Sequence, residues 1–209
     1  MYLTWLKIHA YPDGVDTQPD THAPRRRRGP ELDDALLEAA WEQLQADGYA
    51  AFTIDAVARA VGTSRAVIYR RWPGRAALVL ATVRAHAGTV VGNVPDTGSL
   101  QRDTLALLHE FAERMRRVGI DVAAGLFSEL EEIPEDTRDV VPAAFQQVIN
   151  KARSRGEIGP ATIPDSVLAM PGELIRYSMI VERTAPSDQA LEHIAQQLFL
   201  PLVHYHASL

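Results

Sequence analysis

Four hydroxyl or phenol groups, Thr53, Thr63, Ser64 and Tyr69, fall within one short stretch, Thr53 to Arg75, together with five arginines, of which Arg65, Arg70 and Arg75 stand out. No general base stands in register with any of these hydroxyls, so the chemistry open to them is hydrogen bonding and charge pairing. Ser64, Arg65, Tyr69 and Arg70, with Ala66 among them, share the outer side of one predicted helix. A helix carrying donors at its N-terminal and outer positions can enter a DNA major groove and reach base edges and phosphates. Arg75 opens the next helix, whose free amides and N-terminal dipole could hold a phosphate.

The elements that must position these groups are legible in the same residues. Ile54, Val57, Ala58 and Val61 recur at helical spacing behind Thr53, a natural N-cap acceptor. Gly62 follows, where a left-handed turn is easiest without a Cβ, and the spacing predicts a second helix over about 65–71. Ala58, four residues before Gly62, leaves room for two helices to meet across a tight turn. Val67 and Ile68 face the core, and Trp72-Pro73-Gly74 ends the reading helix. A first helix is predicted from Leu32, Leu36, Ala40 and Leu44, stopping at Gly48, with Trp41, Tyr49 and Phe52 completing a small core. A fourth runs from Arg75 to about Val91.

From Leu32 to Leu78 the chain resembles the DNA-binding domain of the TetR family of bacterial transcriptional regulators, and AVGTSRAVIYRRWPGRAAL is similar to that family's turn, recognition helix and fourth-helix start. The resemblance implies a phosphate contact for Tyr69. It sets Trp72 where the family usually has phenylalanine and Arg75 where it usually has lysine, which keeps the charge and adds a planar fork. Ala66, Val67 and Ala76 stand where the family often has glycine, threonine and an acid. The resemblance also implies a homodimer on a near-palindromic operator in double-stranded DNA, acting as a ligand-responsive repressor.

Charge and composition agree with a DNA-binding front end. The net charge is −6, yet ten arginines against seven acids give +3 over residues 25–86, with −2 before and −7 after. Arg25, Arg26, Arg27 and Arg28 form a basic run directly before the first helix, where an arm could reach the minor groove or lie along phosphates. Residues 1–24, with four Pro or Gly and no sustained periodicity, read as a flexible extension. Residues 25–74 then form the helix-turn-helix domain, and 75–209 a helical regulatory and dimerisation domain. At 209 residues and 46% hydrophobic the chain can bury a real core. It has no cysteine and no apolar run long enough for a membrane helix, which suits a cytoplasmic protein.

The second half keeps the helical period throughout, so the expected fold is all-α, with about nine helices. Leu100, Leu107, Leu108, Phe111 and Met115 mark a helix ending near Val118-Gly119, Val122, Leu126, Phe127 and Leu130 another ending before Pro134, and Phe145, Val148 and Ile149 a third ending near Gly156, followed by a last pair over about 164–182 and 188–206. The last two are strongly apolar and could form a four-helix seam with a twofold mate, with Pro171 and Pro201 disturbing their boundaries. RGEIGP and this pair also resemble one C-terminal subgroup of the TetR family. Following that resemblance, Phe111, Met115, Phe127, Leu130, Phe145, Met170, Arg176 and Tyr177 are the candidate contacts for a small-molecule effector, expected to be largely apolar.

Enzyme motifs fail inspection. There is no Gly-rich phosphate loop, G-x-S-x-G, H-E-x-x-H or calcium loop, so neither catalytic residues nor metal or cofactor ligands are expected. The acidic group Glu129, Glu131, Glu132, Glu135 and Asp136 straddles Pro134 and reads as solvated surface. Two other classes stay open on the residues alone: a helical interaction module that no longer reads DNA, and a small-molecule enzyme built in a helical pocket.

Overall fold

A computed structural model describes residues 29–88, 94–132 and 134–208. The extension 1–24, the basic run Arg25–Arg28 and the predicted end of helix four near Val91 lie outside them. The described residues are helical, without strands.

Leu36, Ala40 and Leu44 lie buried along one face of α1 (Pro30–Ala51), and the backbone breaks at Gly48, where φ is 73°. The predicted stop is therefore a kink: helical structure resumes to Ala51 and turns Tyr49 inward. Helix α2 (Ile54–Val61) starts on Thr53, whose hydroxyl accepts from the Ala56 amide at 3.3 Å. It ends on Gly62 at φ 70°, ψ 37°, a left-handed conformation costly for other residues. Helix α3 (Arg65–Tyr69) follows and buries Ile68 fully.

Helix α4 (Arg75–Ala87) buries Leu78, Val79 and Leu80 in the N-terminal core and is followed by Gly88 with φ 70°. Trp41 does not join the small core. It is half-buried and stacks on His86 of α4 with ring centroids 4.8 Å apart.

The second half comprises α5 (Leu100–Val118), α6 (Ile120–Glu129), the single turn α7 (Glu135–Arg138), α8 (Val140–Ser154) and α9 (Asp165–Ile180). A last continuous helix consists of α10 (Asp188–His193), a π-helical segment Ile194–Phe199 and α11 (Leu200–Ala207). Counting that helix once and setting aside the single turn, the described residues hold nine helices. The wide π turn directly precedes Pro201, which lacks the amide needed to continue an α-helical ladder. Pro171 lies buried inside α9, and Gly172 beside it lets α9 approach α8: a Cβ there would sit 2.7 Å from Val141.

Two apolar clusters result. One joins α5, α8, α9 and the last helix, with Phe145 against Phe199 at its centre. The other joins α1 to α4 and also takes Val118 and Val122, Ala123 and Leu126 of α6. Helix α6 is thus built into the N-terminal core. Gly125 permits this, because a Cβ at that position would lie 2.3 Å from the Tyr49 ring. On the terminal pair, Val167, Leu168, Met179, Leu191, Ile194, Phe199 and Val203 fill the subunit's own interior. The large apolar side chains left outward are Tyr177, Val181, Leu202 and Tyr205.

Candidate nucleic-acid interface and effector cavity

The outward face of α3 is the first candidate site. Ser64, Arg65, Ala66 and Arg70 are exposed and Tyr69 is half exposed, while Ile68 on the opposite side anchors the helix. Thr63 sits at the turn, its amide bonded to the Ala58 carbonyl at 2.9 Å. Ser64 caps the helix position without a side-chain bond, so its hydroxyl remains available. Arg65 pairs with Asp55 of α2 at 3.1 Å, both largely exposed, a contact of small energy that a phosphate or base can replace. Arg71, absent from the predicted site, pairs with Asp33 of α1 and donates to the Val67 carbonyl at 3.1 Å. It fixes the angle of α3 on the body.

Arg75 is placed differently from the expectation. Its guanidinium turns toward Glu129 of α6, with Nε 3.0 Å from Oε2, and lies over the Tyr49 ring at 4.6 Å. Tyr49 Oη donates to the same Oε2 at 2.8 Å, and the Ala76 amide bonds the same carboxylate. The anion held at the α4 N-terminus is therefore the protein's own. The Arg75 bond, followed by that of Tyr49, outweighs burial and lowers the Glu129 pKa. Burial first, and then the Glu129 bond, push Tyr49 up to about 12. Glu129, read from sequence as solvated surface, is a junction acceptor. Its partner stands 54 residues away in sequence, which no local pattern discloses.

The second site is a cavity of about 560 Å³ bounded by α4 to α9. Four predicted contacts line it: Phe111, Met115, Phe127 and Arg176. The other four do not. Phe145 is locked against Phe199, Met170 packs on the C-terminal cluster, Leu130 packs on the N-terminal one, and Tyr177 is 55% exposed on the surface. Sequence reasoning missed Arg84, Arg114 and Thr137, which also line it. Arg84 Nε donates to Thr137 Oγ1 at 3.1 Å. Arg114 reaches the Ala87 carbonyl at the end of α4 at 3.0 Å and Glu110 at 2.7 Å. Large apolar side chains were the signal sought, whereas these polar ones look solvated on a helical wheel.

No described group of three or more His, Cys, Asp or Glu could hold a metal ion, and no described helix is long and apolar enough to cross a membrane.

Comparison with known proteins gives the same frame. The profile described as bacterial regulatory proteins, tetR family, matches residues 36–82, and that of the tetracyclin repressor-like C-terminal domain matches 94–198. An HTH-type transcriptional regulator of Mycobacterium tuberculosis is 32% identical over 195 residues, 88% of this chain and 91% of the relative. A DNA-binding transcriptional repressor TetR of Mycobacteroides abscessus is 30% identical over 139 residues, 63% of this chain and 73% of its own. Among solved structures, the TetR family transcription regulator SCO0332 superposes with a TM-score of 0.57 at 22% identity, over 81% of this chain and 97% of that one, a likeness of fold. With an all-helical body, a helix-turn-helix front and matches over both halves, the chain belongs to the TetR family of DNA-binding transcriptional regulators.

Proposed function

We propose that this regulator is a ligand-responsive repressor that binds a near-palindromic operator as a homodimer in the cytoplasm, with no catalytic step and no cofactor. The observation that carries the reading is the outward face of α3, where Ser64, Arg65, Tyr69 and Arg70 present donors while Ile68 holds the helix down. On this reading Arg65 and Arg70 weigh on base choice or phosphate grip, with Ala66 between them. Thr53, Thr63, Tyr69, Arg75 and the run Arg25–Arg28 hold phosphates. Residues 25–74 serve as the reading domain and 75–209 as the regulatory one, hinged through α4. The exposed apolar residues Tyr177, Val181, Leu202 and Tyr205 on α9, its end and α11 support a subunit seam there.

The cavity between α4 and α9 is the effector site in this reading. A ligand fitting better when α4 tilts lowers operator affinity by its differential binding to that state, and by no more. A fluorescence assay of the full-length protein on its own upstream intergenic DNA, against unrelated DNA at two salt concentrations, tests it. Specific binding that weakens with salt is expected, and Tyr69→Ala should lower specific and nonspecific affinity together. Unchanged operator affinity in Tyr69→Ala would sink the role of α3.

A further inference from the structure

We infer that the cavity takes an amphipathic organic acid, whose anionic head meets Arg114 and whose alkyl or aryl tail fills the apolar remainder. The inference rests on reading the cavity as the effector site and replaces the expected largely apolar effector with a charged one. Three arginines, Arg84, Arg114 and Arg176, come to it from α4, α5 and α9, and no described lining residue is a carboxylate. Glu110, which pairs with Arg114, and Glu173, which pairs with Arg176, stand outside the lining.

Arg114 is the decisive group. Its side chain is 13% exposed, and its two terminal nitrogens bond Glu110 and the Ala87 carbonyl. Its Nε is buried with no acceptor. Buried donors without partners are rare in folded proteins because the desolvation cost goes unmatched. When the side chain turns toward the cavity, a ligand oxyanion supplies this donor with its acceptor, and an ionised one bonds about twice as strongly as a neutral one. An alcohol satisfies the donor weakly, and an amine brings a like charge toward three guanidiniums. Apart from the arginines and Thr137, the wall, including Val83, Phe111, Met115 and Phe127, offers apolar surface to a tail.

Arg114 also connects this choice of ligand to the reading head. The carbonyl it holds belongs to the last residue of α4, where the helix dipole is negative. An anion at Arg114 competes with that carbonyl for the same guanidinium and loosens the end of α4.

Isothermal titration of the full-length protein with decanoate and 4-phenylbutanoate tests the assignment. The matched probes are decan-1-ol, 4-phenylbutan-1-ol and decylamine, all below aggregating concentrations. At least one acid should bind about tenfold or more tighter than its alcohol, with the amine weaker still. Arg114→Met should remove most of that preference and leave alcohol binding within about threefold. The acid should also lower operator affinity. Should Arg114→Met fail to fold, the acid-to-alcohol ratio in the wild type decides by itself. An alcohol that equals its acid, yet is displaced by the cavity-filling Val83→Trp, overturns the anionic class and leaves the effector cavity standing. Binding of none of the five overturns both.

Discussion

Replacing Glu129 with glutamine isolates the contact between the reading head and the body. The amide keeps an acceptor for Tyr49 but loses the charge that holds Arg75. Both partners are 35% exposed, so solvent screens the pair and its contribution belongs in the range of surface ion pairs, about 1 kcal/mol at the upper end. The variant should therefore lose about 1 kcal/mol of stability, or about 2–4 °C in Tm for a chain of this size. The effect on DNA has the opposite sign. If Arg75 grips a phosphate, the wild type must first release it from Glu129, and that same amount of free energy is subtracted from operator binding. Glu129→Gln removes the subtraction, so affinity should rise about fivefold for each half-site. Fluorescence anisotropy on the operator at fixed salt measures this beside a thermal melt. Arg75→Ala added to Glu129→Gln should cancel the gain, since a double-mutant cycle assigns it to the pair. A less stable protein that binds the operator no better, or worse, would refute the exchange and leave Arg75 as a strut.

Gly125→Ala should lower stability by about 1–3 kcal/mol in urea unfolding, because the added Cβ meets the Tyr49 ring from 2.3 Å and α6 must back away from α1; an unchanged midpoint would mean that the junction is loosely packed. At low pH a different cluster dominates. Asp103 is fully buried, and although burial raises its pKa, bonds from the Thr97 amide and hydroxyl and from Arg155 bring it below the usual carboxylate value. A carboxyl lowered on folding stabilises fully above its unfolded pKa, about 3.9, and that stabilisation is lost as pH falls through the folded value. Stability should thus be flat from neutrality to about pH 5 and fall below about pH 4. Asp103→Asn should be less stable by about 2 kcal/mol at pH 7 but show a shallower acid limb; an identical slope would place the acid sensitivity elsewhere.

The helix-turn-helix was legible because each of its signals is local. Thr53 caps the helix that begins at the next residue, Gly62 takes the left-handed turn at its end, and Ile68 is the buried side of a five-residue helix. The junction and the cavity were not, because both are assembled from distant residues. Glu129 belongs to an acidic run that looks like surface until α6 is laid against α1, and only Gly125 permits that approach. In the cavity, Phe111 and Phe145 carry the same apolar signal, yet one lines the space and the other is wedged against Phe199. Periodicity says which face of a helix is inward. It does not say whether a cavity or another side chain waits there. Arg114 shows the converse: an arginine on an amphipathic helix reads as solvated, and its burial follows from the carbonyl end of α4 lying over it.

The distribution of contacts along α4 sets how it can move. Leu78, Val79 and Leu80 are buried in the first half, so displacing that part exposes apolar surface at about 1.5–3 kcal/mol for each side chain. The second half buries Thr82 and only partly Val83 and Ala87, and is held in addition through polar groups: Arg84 to Thr137, His86 to Glu38 and Trp41, and the Ala87 carbonyl to Arg114. Each such contact contributes about 1 kcal/mol and can be exchanged for another partner. The helix is therefore pivoted near its first buried turns and exchangeable at its far end, where the cavity lies. Allosteric couplings of about 1–3 kcal/mol match the release of one or two of these polar contacts and fall short of what unpacking the pivot would require. An effector that recruits Arg114 needs to act only on the polar end, and the short arm beyond the pivot carries Arg75 and α3 with it.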